Sequence, residues 1–262
     1  MRAFRLRDRL SEFYPSAEED VLRRLGVATT PAFGPMLKLV CWNMFKARRR
    51  GWLQDLTTIS ASADLVLLQE AVLHGGIAQP FHTSSGMEWI MVENLRHARE
   101  QVTTGPKTGS RVAAASSAFV RSHAREPLIN TPKTFLYTAH PVSDGSTLLV
   151  VNVHAINLVS TAKFTHQVEQ IAEPVARHTG PCIVAGDFNT WNEARMHVLQ
   201  RAMAQAGLVR APAAAPQWRH FRQVLDHVFF RGMRLINAHA LTHVKTSDHV
   251  PLAAEFDLSA KA

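Results

Sequence analysis

A chain of 262 residues with 46% apolar and 19% charged residues can close a hydrophobic core without staples and is too apolar to be disordered throughout. Its 29 lysines and arginines stand against 21 acidic residues, a formal charge of +8, which suits phosphate-bearing partners without naming one. The two cysteines, Cys41 and Cys182, lie in apolar runs; they fit buried free thiols better than a disulfide framework and cannot make a cysteine-based zinc site. No apolar run reaches the roughly 18 residues of a membrane-spanning helix. The charged start MRAFRLRDRLSEFYPS lacks a signal peptide's apolar core. A cytoplasmic monomer without stable membrane insertion is the expectation.

In chain order, residues 1–36 read as a basic N-terminal extension and residues 37–262 as one folded domain. Arg2, Arg5, Arg7 and Arg9 alternate with apolar residues; Ser16, followed by Glu18 and Glu19, starts a short helix through Leu25. Thr29-Thr30-Pro31 and Gly34-Pro35 then break the chain. Apolar runs of strand length follow at Leu37–Trp42, Leu65–Leu68, Val112–Val120, Thr134–Ala139, Thr147–Val153, Cys182–Ala185, Val228–Phe230 and Leu252–Phe256. Helical stretches fit Trp52–Ser60, Thr161–Arg177 and Asn192–Ala206. In the second, Phe164, Val168, Ile171 and Val175 recur at helical spacing. Many strands with a few helices make an α/β domain with helices outside the sheet. The helix-free stretch from Val112 to Val153 implies antiparallel pairing.

The chemistry sits where the strands stop. Trp42 runs into Asn43, Gln69 into Glu70, Val153 into His154, and Ala185 into Gly186-Asp187-Phe188-Asn189. Leu225 precedes Asp226 and His227, and Ser247 precedes Asp248 and His249. Any one of these residues alone reads as a turn former or a satisfied core polar group. Six such strand ends in one chain point to a site, because layered α/β folds build their sites there.

The ordered set of Asn43, Gln69-Glu70, VNVHAIN at 151–157, GDFN at 186–189, LDH at 225–227 and SDH at 247–249 resembles the endonuclease/exonuclease/phosphatase superfamily. That is the group of DNase I, the exonuclease-III-type AP endonucleases, neutral sphingomyelinases and inositol polyphosphate 5-phosphatases. LVCWNMFKA, LVLLQEA, VVNVHAIN, VAGDFN and LDHVFFRG resemble its bacterial YafD-like branch. The resemblance covers residues 37–258. It implies a DNase I-like four-layer α/β sandwich, two mixed β-sheets packed face to face with helices outside.

It also implies phosphoester hydrolysis with Mg²⁺ or Mn²⁺, hard cations that suit oxygen ligands. By resemblance Glu70 is the principal metal ligand, Asn43 the amide beside it, and Asp248 a second acid near the metal. Asp187 orients or deprotonates the attacking water, and Asn189 positions it or donates to a phosphate oxygen. His249 contacts the scissile phosphate, and Asp226 holds its tautomer. His154 is a general acid, while Asn157 and Arg111 are expected to bind the substrate phosphate. Two features depart from the pattern. The acidic partner of His154 is missing, with Glu93 a weak candidate, and His227 stands where many members carry an aromatic residue.

A phosphodiester substrate is expected, with nucleic acid favoured by the charge. Arg48-Arg49-Arg50 follows the Asn43 strand end, and Lys46, Arg96, Arg99, Lys107, Arg219, His220 and Arg222 are further basic candidates. A phospholipid or small phosphorylated metabolite is the alternative, since Met87, Trp89, Ile90 and Met91 form an apolar stretch. A binding module that has lost turnover is the third reading.

Overall fold

The computed structural model describes residues 13–15, 21–73, 82, 85–97, 102–127, 131–212 and 224–260. In chain order the elements are β1 (Phe13–Pro15), β2 (Leu22–Leu25), β3 (Met36–Asn43), α1 (Trp52–Ala61), β4 (Leu65–Leu73), β5 (Glu88–Val92), β6 (Leu95–His97), β7 (Thr103–Ser110) and β8 (Ser116–Arg125). Then follow β9 (Pro132–Pro141), β10 (Thr147–His154), α2 (Thr161–Arg177), β11 (Cys182–Asp187), α3 (Glu193–Gln205), β12 (Val209–Arg210), β13 (Asp226–Arg231), β14 (Arg234–Ala240) and β15 (Leu252–Asp257).

Side-chain alternation along the strands builds the layers. Leu37, Leu39, Cys41, Leu65 and Leu67 face Leu148, Val150, Ile183, Ala185, Val228 and Phe230 in a core between two sheets. The intervening Val40, Trp42, Val66 and Leu68 point the other way, onto Leu56 and Ile59 of α1. On the far side, Val151, Val153, Val184 and Phe229 cover α2 through Phe164, Val168, Ile171 and Val175, and α3 through Leu199 and Met203. Each such side chain contributes about 1.5–3 kcal/mol by leaving water. The result is the expected four-layer sandwich of helix, sheet, sheet and helices.

One sheet runs β1-β6-β7-β4-β3-β15-β14, with β5 on β7 and β2 on β5; the other runs β12-β13-β11-β10-β9-β8. The parallel pairs β3/β4 and β10/β11 are those joined by the α1 and α2 crossovers. β3, β10 and β11 end at Asn43, His154 and Asp187, and the parallel pairing of β4 ends at Gln69, just before Glu70, so both sheets bring these polar residues to one end of the sandwich.

The described part of the N-terminal extension is built into this frame. β1 pairs with β6, and β2 pairs with β5 through Leu22↔Val92 to Leu25↔Trp89. The expected helix through Leu25 is therefore corrected over Leu22–Leu25, which is strand; residues 16–20 lie outside the described residues. The open edge of β5 wins over local helix signals because Val21 is buried with Ile90 and Val92, while Arg23 and Arg24 pair with Glu93 and Glu88.

The strand expected at Val112–Val120 is displaced to β7 and β8. β7 reads TTGPKTGS, yet every residue in it is buried. Its glycines are needed for close approach, since a Cβ on Gly105 would collide with Val92 O and one on Gly109 with the Trp89 ring.

Candidate active site

The inward-facing row of each strand ends in a polar residue: Asn43 after Cys41, Asp187 after Ala185, His154 after Val150 and Asn152, and Asp226 before Val228. The same period that fills the core thus aims these side chains between the sheets. Behind them, Asn152 ties the sheets together, donating to Leu68 O at 3.1 Å and Lys107 O at 3.0 Å and accepting from Gln69 Nε2 at 2.8 Å.

Glu70 arrives by a different route. Between the pairs Leu68↔Lys107 and Ala71↔Gly105, Gln69 and Glu70 stand opposite the single residue Pro106. This is a β-bulge, and Pro106 has no N–H to leave unpaired there. The bulge puts Glu70 at φ 50°, a costly backbone for a residue with a side chain, and swings its carboxylate into the cleft. Glu70 Oε2 lies 2.8 Å from Lys46 Nζ. Phe45, Lys46 and Ala47 also have φ of 52–54°. Burial pushes the Glu70 carboxyl up, but Lys46, His154 and Lys133 outweigh it and hold the group down to about 2.

Asp187 is the hub of the opposite wall. Its Oδ2 accepts from Asn43 Nδ2 at 3.0 Å, across the two sheets, and its Oδ1 accepts from the Asn189 N–H at 2.9 Å. His154 Nε2 and His249 Nε2 lie 3.7 Å and 3.9 Å from the same Oδ2. Burial and then Asp226 raise the Asp187 carboxyl, and His249, Asn189 and Asn43 offset only part of this, leaving it at about 6. Asn189, at φ 51°, donates its side-chain amide to Ala155 O at 2.9 Å, bracing the GDFN turn.

His249 Nδ1 and Asp226 Oδ2 are 2.7 Å apart. Burial disfavours the imidazolium, but Asp226 and Asp187 outweigh it and raise its pKa to about 10. The loop carrying Asp248 and His249 is latched from several sides. Ser247 Oγ donates to Asn43 O at 2.6 Å, Trp42 Nε1 donates to His249 O at 3.3 Å, and Thr246 Oγ1 donates to Asp55 Oδ2 at 2.6 Å. Arg49 donates to Lys245 O and Ser247 O.

His154 faces a lysine where a carboxylate was sought. Lys133 Nζ is 3.2 Å from its Nε2, and burial, followed by Lys133, lowers its pKa well below the ordinary value. Glu93 is not its partner, being paired with Arg23 and Arg96.

The cleft fits a hard divalent cation. Its donors are oxygens, and the half-open Glu70 carboxylate, 16% exposed, already holds a positive charge on its outer oxygen. Of the other two residues taken from the sequence as ligands, Asn43 ends the strand whose partner there is Gln69, with its Oδ1 accepting from the Phe45 N–H at 3.0 Å, and Asp248 precedes His249. Asp187, Asp226 and His249 also bring one potential ligand atom each within 4.8 Å of one another. In that trio the close His249–Asp226 contact is a hydrogen bond, and the Glu70 carboxylate is the more exposed acid.

Arg111 is corrected. It sits just past β7, whose Ser110 pairs with Leu65, at the far end of β4 from Glu70. Its guanidinium donates to Ser60 O and Ala61 O in the last turn of α1 and to Ala63 O just beyond it, away from the cleft. Lys107 is not a rim cation either; it is buried over the Trp89 ring and contacts His82. Asn157 lies just past His154, half-buried, its Oδ1 accepting from the Leu158 N–H. Arg99, Arg219, His220 and Arg222 lie outside the described residues.

Two residues, Lys133 and Arg195, escaped sequence reading as parts of the site, while Lys46, read there as a basic candidate at the cleft, pairs with Glu70. The fully buried Arg195 donates to Ile156 O, Val159 O and Asn189 O between the Phe164 and Trp191 rings, bracing the loops after His154 and Asp187. Only Lys46 had a local signal, its place three residues after Asn43.

A two-sheet α/β sandwich with acids, amides and imidazoles converging at one end defines the DNase I-like class of folds. The model of the Endonuclease/Exonuclease/phosphatase family matches residues 40–249. The chain belongs to that family. It is 33% identical over 250 residues to a UPF0294 protein of Yersinia pseudotuberculosis, covering 94% of each chain. It is 36% identical over 225 residues to one of Vibrio vulnificus, covering 85% of this chain and 77% of the relative. Among solved structures, an endonuclease/exonuclease/phosphatase from Beutenbergia cavernae superposes with a TM-score of 0.65 at 17% identity, covering 86% of this chain and 72% of that one. The 3′ phosphatase NExo from Neisseria, bound to a product DNA hairpin, gives 0.59 at 19%, covering 84% and 99%. Sphingomyelinase C from Streptomyces griseocarneus gives 0.61 at 16%, also covering 84% and 99%.

Proposed function

We propose that this protein is a divalent-metal-dependent phosphodiesterase acting on nucleic acid. The observation that carries the reading is the meeting of the two sheets' polar ends, where Asn43 Nδ2 donates to Asp187 Oδ2 at 3.0 Å and His154 Nε2 and His249 Nε2 lie 3.7 Å and 3.9 Å from the same oxygen. Glu70 is held at about 2 and Asp187 raised to about 6, so one stays an anion while the other can take a proton. Environments that push two carboxyls apart in this way suit a ligand and a base.

Glu70, together with Asn43 and Asp248, would hold Mg²⁺ or Mn²⁺. The bound ion would neutralise phosphoryl charge and make its water more acidic. Asp187, anchored on Asn43 and the Asn189 N–H, takes the proton of the attacking water. His249 is the cation of the site and stabilises charge on the phosphoryl oxygens through Nε2–H, with Asp226 accepting from its Nδ1–H. It also replaces His154 as the better general acid, because His154 is held neutral. Asn189 acts by positioning Asp187 and the turn.

Nucleic acid is favoured by the +8 charge and by exposed Arg48 and Arg50 beside the Asn43 strand end, and the family likeness includes a fold neighbour bound to product DNA. The lipid reading loses its apolar surface, because Met87, Trp89, Ile90 and Met91 are buried. The test is hydrolysis of bis-p-nitrophenyl phosphate, single- and double-stranded DNA, RNA and sphingomyelin with Mg²⁺ or Mn²⁺, beside Glu70→Ala and His249→Ala. Metal-dependent cleavage of DNA or RNA, lost in both variants, is expected. Cleavage of sphingomyelin alone would overturn the substrate assignment, and full activity in both variants would overturn the site.

A further inference from the structure

We propose that Lys133 is a catalytic residue, donating to a non-bridging oxygen of the substrate phosphoryl group from beside His154. The inference rests on the phosphoesterase reading above and adds a cationic anchor to it.

Lys133 lies near the start of β9. Its Nζ is 3.2 Å from His154 Nε2 and 3.3 Å from Glu126 Oε1, with its side chain only 12% exposed. An ammonium has donors and no acceptor, so Nε2 must accept from it. That same nitrogen lies 3.7 Å from Asp187 Oδ2. Lys133, His154 and the proposed base are therefore one chain of contacts along the cleft wall. A carboxylate in the place of Lys133 would repel an incoming phosphate. A partly buried ammonium attracts it more strongly than a solvated surface lysine can.

Glu126 supplies the positioning. Its Oε1 also accepts from the Asn157 N–H at 3.1 Å, which ties it to the loop that follows His154. Lys133 is thus held by one acid at the edge of the site, with further donors to offer. When substrate enters, Lys133 exchanges the His154 nitrogen for a phosphoryl oxygen and keeps Glu126 as its counter-charge. His154 is freed to accept from a hydroxyl or water at that point. No bond is made or broken at Lys133; it binds charge.

The experiment compares wild type, Lys133→Met, Lys133→Arg and Glu126→Gln in Mg²⁺-dependent hydrolysis of bis-p-nitrophenyl phosphate, with inorganic phosphate as competitive inhibitor. Lys133→Met should lower kcat/KM about 100-fold and weaken phosphate inhibition about tenfold, the scale of losing one charged donor to a phosphoryl oxygen. Lys133→Arg should restore most of the phosphate inhibition. Glu126→Gln keeps an acceptor for the Asn157 N–H but removes the counter-charge, so phosphate inhibition should strengthen; this arm stands even where Lys133→Met does not fold.

A folded Lys133→Met with wild-type kcat/KM and phosphate inhibition overturns the assignment. So does a loss of kcat with unchanged phosphate inhibition and no rescue by arginine, since Lys133 would then only shape the wall. Wild-type activity lost in Glu70→Ala but kept in Lys133→Met defeats this inference alone. A wild type that neither hydrolyses nor binds phosphate defeats the proposed function with it.

Discussion

Glu70 sits at a strained bulge within β4 and meets a lysine, while Asp187 ends the inward row of a regular strand and meets a histidine already paired with another acid. Both are carboxylates of one cleft, yet they are set in opposite directions. The difference lies in what each faces. Glu70 is surrounded by Lys46, Lys133 and His154, and attraction outweighs burial. Asp187 is deeper, and burial with the neighbouring Asp226 prevails. Residue type alone therefore assigns no role here; the backbone that delivers the side chain does.

The largest test of this contrast removes the base and keeps its shape. Asp187→Asn preserves an acceptor for the Asn189 N–H but cannot take a proton. Turnover should fall by about 10³-fold or more while Mn²⁺ affinity, read by calorimetry, changes little. A variant within tenfold of wild type would remove Asp187 from the role of base.

Stability without metal should separate the same two residues by sign. Glu70 has its folded pKa lowered from 4.5 to about 2, so its stabilisation is present above pH 4.5 and is lost as the pH falls toward 2. Asp187 has its folded pKa raised from 3.8 to about 6, so its cost appears as the pH rises from 3.8 through 6 and is complete above that. At pH 7.5 in EDTA, Glu70→Gln should lower the unfolding free energy by about 2 kcal/mol, whereas Asp187→Asn should raise it, relief of the buried charge outweighing the lost acceptor for Asn43 Nδ2. Denaturant melts check this, and shifts of the same sign in both variants would break the contrast.

How much of this was readable beforehand follows from the same physics. Strand ends at Asn43, His154, Asp187 and Asp226 were legible because burial with period two writes an apolar run and the run stops at the site. Glu70 was legible by motif, but its bulge was not, since Gln69-Glu70 reads as plain strand until Pro106 lies opposite. β7 was hidden because Gly105, Pro106 and Gly109 are strand breakers that only a crowded neighbour explains. Lys133 and Arg195 act by reaching across elements, which no local pattern records. The left-handed non-glycine residues among those described make the same point. Phe45, Lys46, Ala47, Glu70, Leu158 and Asn189 all lie on the segments that carry the site.

Lys46 offers a finer test on the Glu70 side. Its ammonium occupies the carboxylate that a divalent ion would use, so the two compete. Lys46→Met should tighten Mn²⁺ binding about tenfold, a scale consistent with one partly buried charge pair. Unchanged or weaker binding would mean that the lysine helps to hold the ligand in place.

The smallest effect is expected at Arg111, where a basic residue assigned to phosphate turned out to close a helix. Its donors reach Ser60 O, Ala61 O and Ala63 O at 3.2, 3.0 and 2.9 Å, and of these Ser60 O also accepts from the Ala63 N–H at 3.3 Å. Arg111→Met keeps the aliphatic stem and removes the donors, so stability should drop by about 1–2 kcal/mol. Activity per folded molecule and inhibition by inorganic phosphate should stay as in wild type, because the guanidinium is separated from Glu70 by the length of β4 from Leu65. The same substitution at Lys133 is expected to do the reverse, sparing stability more than phosphate binding. If Arg111→Met weakened phosphate inhibition at unchanged stability, the division of the basic residues into structural and substrate-facing groups would fail.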